Sequence, residues 1–451
     1  MQNFETLITC LPKKSKAILY KNGIIISTSR PPLFNYIAFI KRLDINEINS
    51  AITRFTPKIL DNNQILVTTQ EIFKMLMNQT SLKILHFEFK SNDDIPNIPF
   101  TAYPGGKDCL SKLSEFSCSS NIYPEFFYQI SRICHNLQSL KINFKSFISK
   151  GLTELISVQK DLKYLDLNYC EGYSDESDLD YCESNLDGSD LDYCDCKLDD
   201  ESQLLANIPN TLNKLHIFGR PCHMQLSFIS KLSNLQELSL SFLKTNGLKD
   251  FEILQYATLP KLQILTFEIK CAAVVYLINF LENNGKNLKK LDLGKKKFFD
   301  NSLNLAISNF CTNLTSLRFT YSYKTLDSLK LILNGCEQLE SMDILSSVNC
   351  RGCQDFILLE MIVEFSPKKF HELKVDMGSC VDQVIAFQWG FEPIFKCWAN
   401  RVPCIPLSLT INSKLESEIT MEESNVKVIE EFIKLGVIKE IKIFNDISWF
   451  C

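Results

Sequence analysis

One spacing constrains this chain more than any other feature: Leu-x-x-Leu-x-apolar returns eleven times between Leu82 and Val375. The first copies are Leu82, Leu85, Phe87; Leu113, Phe116, Cys118; Leu137, Leu140, Ile142; Leu162, Leu165, Leu167; and Leu212, Leu215, Ile217. The series continues with Leu235, Leu238, Leu240; Leu262, Leu265, Phe267; and Leu288, Leu291, Leu293. It ends with Leu314, Leu317, Phe319; Leu339, Met342, Ile344; and Phe370, Leu373, Val375. First positions lie 23 to 31 residues apart, except for one interval of 50 between Leu162 and Leu212. A short strand buries alternate residues on one face, and the rest of each repeat must cover the far side of that core. One copy cannot do this alone, so the pattern specifies an array.

Between the expected strands lie segments with apolar spacing of three and four, at 272–283, 326–334 and 356–365, which predict helices. Gly285 and Gly335 follow two of them as stop signals, because glycine takes the left-handed cap conformation without steric penalty. The unit is strand, turn, helix. A period near 26 with that unit is a leucine-rich repeat, and predicts an α/β leucine-rich-repeat solenoid. The expected form is a horseshoe with a parallel sheet on its concave face and helices on its convex face. Degenerate ends are expected, since terminal repeats have one side facing water. Ile37, Ile40, Leu43 and Ile45 supply a first irregular strand, and Leu409 with Ile411, then Ile438, Ile441 and Ile443, supply the last repeats.

The eighteen cysteines are scattered, and the N-terminus lacks the basic head and apolar run of a signal peptide. No stretch approaches the roughly 20 apolar residues that cross a bilayer, so the expected location is cytoplasmic or nuclear, away from membranes. Cys134, Cys311 and Cys336 sit three residues before a first repeat leucine, and Cys170 three after a last one. That register resembles the cysteine-containing, ribonuclease-inhibitor-like class of leucine-rich repeats. Free cysteine is among the most buried residue types, so these thiols are expected to be small buried hydrophobes, with disulfides as the minor alternative.

The doubled interval holds an acidic insert at 171–201, with thirteen acidic residues against the single Lys197, a net of −12 in a chain of net −5. The hexapeptide Ser-Asp-Leu-Asp-Tyr-Cys occurs at 177–182 and again at 189–194, a local duplication. Such a segment repels itself and is expected to be a solvated excursion. The spacing around Asp187 and Gly188 lacks the ligand set of a calcium loop, so no metal is expected. Nor does the Cys350/Cys353 pair have the second pair that structural zinc requires. No phosphate loop, nucleophile elbow, zinc-protease or dinucleotide motif is present, so no cofactor and no catalysis are expected. Isolated Cys and His residues are all that speaks for a hydrolase or redox enzyme.

Residues 1–55 run from a helix-like segment ending in Lys21-Asn22-Gly23-Ile24, through a loop with Pro31 and Pro32, to the stretch 33–52. That order resembles the stretch following the F-box in a large group of fungal F-box and leucine-rich-repeat proteins. Segments 130–144, 151–167, 283–293 and 435–446 resemble later landmarks of the same group. The resemblance implies that an F-box docks on the Skp-type adaptor of an SCF ubiquitin ligase while the repeat array chooses a protein substrate. Leu11-Pro12 followed by a basic helix is too short and too basic to supply the F-box itself. Residues 1–60 are therefore expected to be a capping or linker region that would follow an F-box, and 61–451 the solenoid. Adaptor binding is implied only if an F-box stands upstream. The alternative is a free-standing repeat scaffold without a ubiquitin role.

Between the second and third core positions the side chain must point to the open face of the sheet. This column reads His86, Ser117, Lys141, Asp166, His216, Ser239, Thr266, Asp292, Arg318, Asp343 and Lys374. Both signs are interspersed, which disfavours a phosphate-binding stripe, and with it nucleic acid, and suits a protein partner. Phe218, Phe242 and Tyr321, just beyond the core triplets, are candidate apolar anchors for that partner, the alternative being that they pack within the repeats.

Overall fold

A computed structural model describes residues 2–24, 33–55, 61–79, 81–89, 100–145, 147–169, 198–219, 225–242, 251–268, 274–294, 301–321, 325–346, 353–377, 391–413 and 423–445. Each triplet ends in a strand, or for Leu293 just past one, and its second and third members are buried. The strands are β1 (Arg42–Asp44), β2 (Ile84–Phe87), β3 (Glu115–Ser119), β4 (Ser139–Asn143), β5 (Tyr164–Tyr169) and β6 (Lys214–Gly219). They continue as β7 (Glu237–Phe242), β8 (Ile264–Glu268), β9 (Lys290–Asp292) and β10 (Ser316–Tyr321). The last are β11 (Ser341–Ser346), β12 (Glu372–Met377), β13 (Leu407–Ser413) and β14 (Ile438–Asn445). Every member of the eleven triplets is buried, none more than 4% exposed.

The chain forms two compact units, residues 1–216 with 222–224, and residues 217–221 with 225–451. In the first unit β1 to β5 pair in chain order, all parallel. In the second unit β7 to β14 do the same. Parallel neighbours in chain order require a crossover between each pair, and helices supply it. In the second unit the helices Val274–Asn284, Asn301–Phe310 and Leu326–Gly335 turn Leu277, Phe280, Leu281, Leu303, Ile307, Leu329 and Ile332 inward. The fold is a leucine-rich-repeat solenoid, built as the repeat spacing requires. In the first unit aromatic packing fills the same space, with Phe87 and Phe126 rings 4.8 Å apart and nearly perpendicular.

In three repeats the residue three positions before the first leucine binds one repeat to the one before. The Cys134 thiol donates to the Leu110 carbonyl at 3.1 Å, and the Gln159 amide donates to the Cys134 carbonyl at 2.8 Å. Cys336 repeats the contact on the Cys311 carbonyl at 3.5 Å. The expectation of buried, reduced thiols therefore holds for Cys134, Cys311 and Cys336, each at most 1% exposed, with a further role as donors for Cys134 and Cys336. Cys170 and Cys350 lie outside the described residues.

Three local expectations change. Ile37 falls in a 3₁₀ turn and Ile45 opens a helix, so the first strand is only the three residues around Leu43. Most of the acidic insert lies outside the described residues, but its last residues, from Leu198, open the helix Leu198–Ala206. There Glu201 is buried and accepts a 2.7 Å hydrogen bond from the Tyr169 hydroxyl, so the last residue of the insert is packed and not solvated.

Neither Gly285 nor Gly335 takes a left-handed conformation. Close approach is the reason for glycine at both. A methyl group at Gly285 would lie 3.0 Å from Cys311 Sγ, and one at Gly335 would lie 2.5 Å from the Ser308 carbonyl oxygen of the preceding helix. Gly335→Ala is expected to cost about 1–3 kcal/mol by overpacking this backbone contact, read as a lower midpoint in thermal unfolding. An unchanged midpoint would mean that the two helices separate freely.

Candidate protein-binding face

Strand alternation sends the middle column outward, and all eleven of its residues lie within strands. Register then sets each beside its counterpart one strand away. In the first unit Asp44, His86, Ser117, Lys141 and Asp166 form one continuous row. In the second, Ser239, Thr266, Asp292, Arg318, Asp343 and Lys374 do so, and Thr410 and Lys442 extend the row through β13 and β14.

Charge alternates along the middle of the second row. Arg318 lies between two carboxylates, 3.6 Å from Asp292 Oδ2 and 3.2 Å from Asp343 Oδ2. Partial burial pushes the Asp343 carboxyl above its usual range, and the neighbouring cations of Arg318 and Lys374 oppose that shift. Lys374 meets Glu372 of its own strand at 3.0 Å, and Lys442 meets Glu440 at 2.8 Å. Asp292 is also fixed from its own side, its Oδ1 accepting the Gly294 N–H at 2.8 Å. The face is a nearly neutral mosaic of paired charges and not a stripe of one sign. Arg318 is an integral part of that mosaic, so its reversal would set three carboxylates side by side.

The first unit carries its two sheet histidines here. His86 Nδ1 is 4.0 Å from Asp44 Oδ2. The Tyr164 hydroxyl lies 3.2 Å from both Asp166 Oδ2 and His216 Nδ1, and its ring meets the His216 ring edge-on at 5.1 Å. One proton arrangement satisfies all three groups, with His216 donating to the phenol and the phenol donating to Asp166. Ser117 is the most enclosed member of its row, 7% exposed, and donates to the Glu88 carboxylate.

Of the sequence-derived anchors, Phe242 and Tyr321 are not on this face: they are 5% and 1% exposed. The reason was present in the spacing. Each stands two residues after a third core position, so strand alternation turns it inward. Phe144, just past β4, and Tyr169, at the end of β5, hold the same position and stack at 4.2 Å. Phe218, one residue after its core position, is half-buried. The middle column also omitted its companion two residues earlier, which shares the outer face and contributes Tyr164, Lys290 and Glu372. A second surface escaped sequence reading altogether: Leu33, Phe34 and Phe39 are 92%, 65% and 75% exposed. An apolar run does not by itself reveal which side of it is covered.

Among the described residues no group of three His, Cys, Asp or Glu is placed to hold a metal ion. No helix among them is long and apolar enough to cross a membrane.

No protein-family model matches the chain, and no curated protein matches it. Among solved structures it is similar to an internalin (InlF) from Listeria monocytogenes at 13% identity, covering 91% of this chain and 99% of that one, with a TM-score of 0.35. It is similar to the leucine-rich-repeat protein LegL7 from Legionella pneumophila at 14% identity, covering 77% and 97%, with a TM-score of 0.40. A chain of the yeast Rad7 and Elc1 complex matches at 15% identity, covering 91% of each, with a TM-score of 0.37.

Proposed function

We propose that this chain is a non-catalytic protein-recognition module and that the outer face of its sheet is the recognition surface. The observation that carries the reading is the row Asp292, Arg318, Asp343 and Lys374, four charges of alternating sign set in register on adjacent strands. A fixed mosaic of both signs selects a partner by complementary pairing and penalises mismatched surfaces. Phosphate backbones would gain little from it, because each cation already has a carboxylate beside it.

Within this reading, the resemblance of residues 1–55 to the region following an F-box makes the chain the substrate-binding part of an SCF-type ubiquitin ligase receptor. Contact with a Skp-type adaptor then belongs to an F-box upstream of Met1, where one is present. A free-standing scaffold uses the same face without that contact.

The test is affinity purification of the full chain with mass spectrometry, comparing wild type with the double variant Lys141→Glu, Lys374→Glu. Both sites lie in the outer column, but Lys374→Glu sets a third carboxylate beside Asp343 and Glu372, so Lys374→Ala is read alongside it, exposed substitutions usually changing stability by no more than about 0.5 kcal/mol. The expected result is loss of a substantial share of the co-purifying proteins. Glu282→Lys, an exposed residue on the helix side, is expected to retain them. An unchanged set in the double variant, with an unchanged melt, would remove the sheet face as the recognition surface.

A further inference from the structure

The second unit carries another surface, at the N-terminal ends of β8 to β12, where each chain turns from helix side to strand. A shallow groove of about 440 Å³ runs there across five successive repeats. One of its rows is the residue just before each first core position: Lys261, Asn287, Asn313, Gln338 and Lys369. The other is the residue just after: Gln263, Lys289, Thr315 and Glu340, with Pro260 and Lys286 one residue before the first row.

Backbone hydrogen bonds hold these rows in step. The Gln263 carbonyl accepts the Lys289 N–H at 2.8 Å, the Lys289 carbonyl accepts the Thr315 N–H at 2.8 Å, and the Thr315 carbonyl accepts the Glu340 N–H at 2.8 Å. The amides of Asn287 and Asn313 are oriented by donating to the Pro260 and Lys286 carbonyls at 3.2 and 2.9 Å. Successive repeats at the inter-strand spacing give the groove a length of about 19 Å, the span of about six residues of extended peptide.

Charge separates this groove from the sheet face. Lys261, Lys286, Lys289 and Lys369 are all exposed, and among the described residues none of the four is within ion-pair distance of a carboxylate. Lys261 and Lys369 are instead held by side-chain amide oxygens, of Asn234 and Gln338, at 2.6 Å each. Such bonds position an ammonium group without neutralising it. Among the described residues, four cations against one carboxylate, Glu340, leave the groove net positive within a chain of net −5.

We propose that this groove binds an acidic peptide in extended conformation, its carboxylates paired with the four lysines. Side-chain amides suit a peptide, because they offer both donor and acceptor to main-chain groups. A nucleic-acid strand is disfavoured, since among the described residues no aromatic side chain lines the groove for base stacking. The site does not depend on the sheet face, and either can fail without the other.

The test is fluorescence anisotropy of the full-length protein with a labelled peptide of about twelve residues that alternates Glu and Ser, roughly twice the groove's span. Saturable binding is expected, weakening as salt rises from about 50 to about 200 mM, and absent for the peptide with Gln in place of Glu. The double variant Lys286→Glu, Lys289→Glu is expected to raise Kd by about tenfold or more with an unchanged melt, whereas Lys374→Glu on the sheet face leaves Kd unchanged. Equal binding of the Gln peptide, or an unaltered Kd in the double variant, would overturn the proposal. So would tighter binding of a single-stranded oligonucleotide of equal charge, which would assign the groove to nucleic acid.

Discussion

Replacing Asn284 with leucine is expected to cost about 3–5 kcal/mol, although the two side chains share the same branched outline. Asn284 is 1% exposed and makes three bonds: Oδ1 accepts the Leu259 N–H at 2.7 Å, and Nδ2 donates to the Ala257 and Phe280 carbonyls at 2.8 and 2.9 Å. Leucine would strand the Leu259 amide and the Ala257 carbonyl in an apolar surrounding, and each orphaned group costs about 1–3 kcal/mol. Gln159 performs the same task in the first unit, accepting the Leu137 N–H at 3.0 Å while donating to the Cys134 and Leu155 carbonyls at 2.8 Å each. Gln159→Leu should therefore lose a comparable amount. Chemical denaturation combined with hydrogen exchange checks both, and the exchange should quicken first around Leu259 in one variant and around Leu137 in the other. A loss below about 1 kcal/mol in either would mean that water or a shifted backbone replaces the clasp.

The clasps also mark where sequence reading stops. A strict spacing of apolar residues is a statement about burial, and it located every core triplet because a strand admits only one inward set. The same alternation located the outer column, including the row from Asp292 to Lys374. It would also have turned Phe242 and Tyr321 inward, had the strand been carried two residues further. What one-dimensional spacing does not contain is the approach of one repeat to the next. Gly335 reads in sequence as a helix stop and in space as the point where the Ser308 carbonyl comes too close for any side chain. The four groove lysines are ordinary surface residues in sequence. Only stacking of the repeats brings Lys261 and Lys369, more than a hundred positions apart, into one groove.

The thiols of the inter-repeat column give the last expected result, a loss of stability in mild alkali. Burial raises the Cys134 and Cys336 thiols from an ordinary value of 9.0 to about 12 each, and drives Cys118 and Cys311 in the same direction. In the unfolded chain these thiols release their protons near pH 9, whereas in the folded chain they keep them. Between those values the folded state binds more protons, so stability falls as pH rises. The contribution is fully present below pH 9 and is lost on the way to about 12. Each affected thiol costs about 1.4 kcal/mol per pH unit in that window, so Cys134 and Cys336 together remove about 3 kcal/mol by one unit above the ordinary thiol value. Burial also raises the Tyr103 phenol, which adds loss of the same sign at higher pH. The double variant Cys134→Ala, Cys336→Ala retains Tyr103 and removes the two thiols, so its melting temperature should start lower and then fall less steeply with pH than that of wild type. In the native protein at neutral pH, iodoacetamide should label the exposed Cys397 and Cys404 and leave Cys134 and Cys336 unmodified. Parallel pH slopes in the two proteins, or ready labelling of Cys134, would mean that the repeat interior admits water at its cysteines. The hydrogen bonds from Cys134 and Cys336 to the preceding repeats would then contribute nothing to holding the array together.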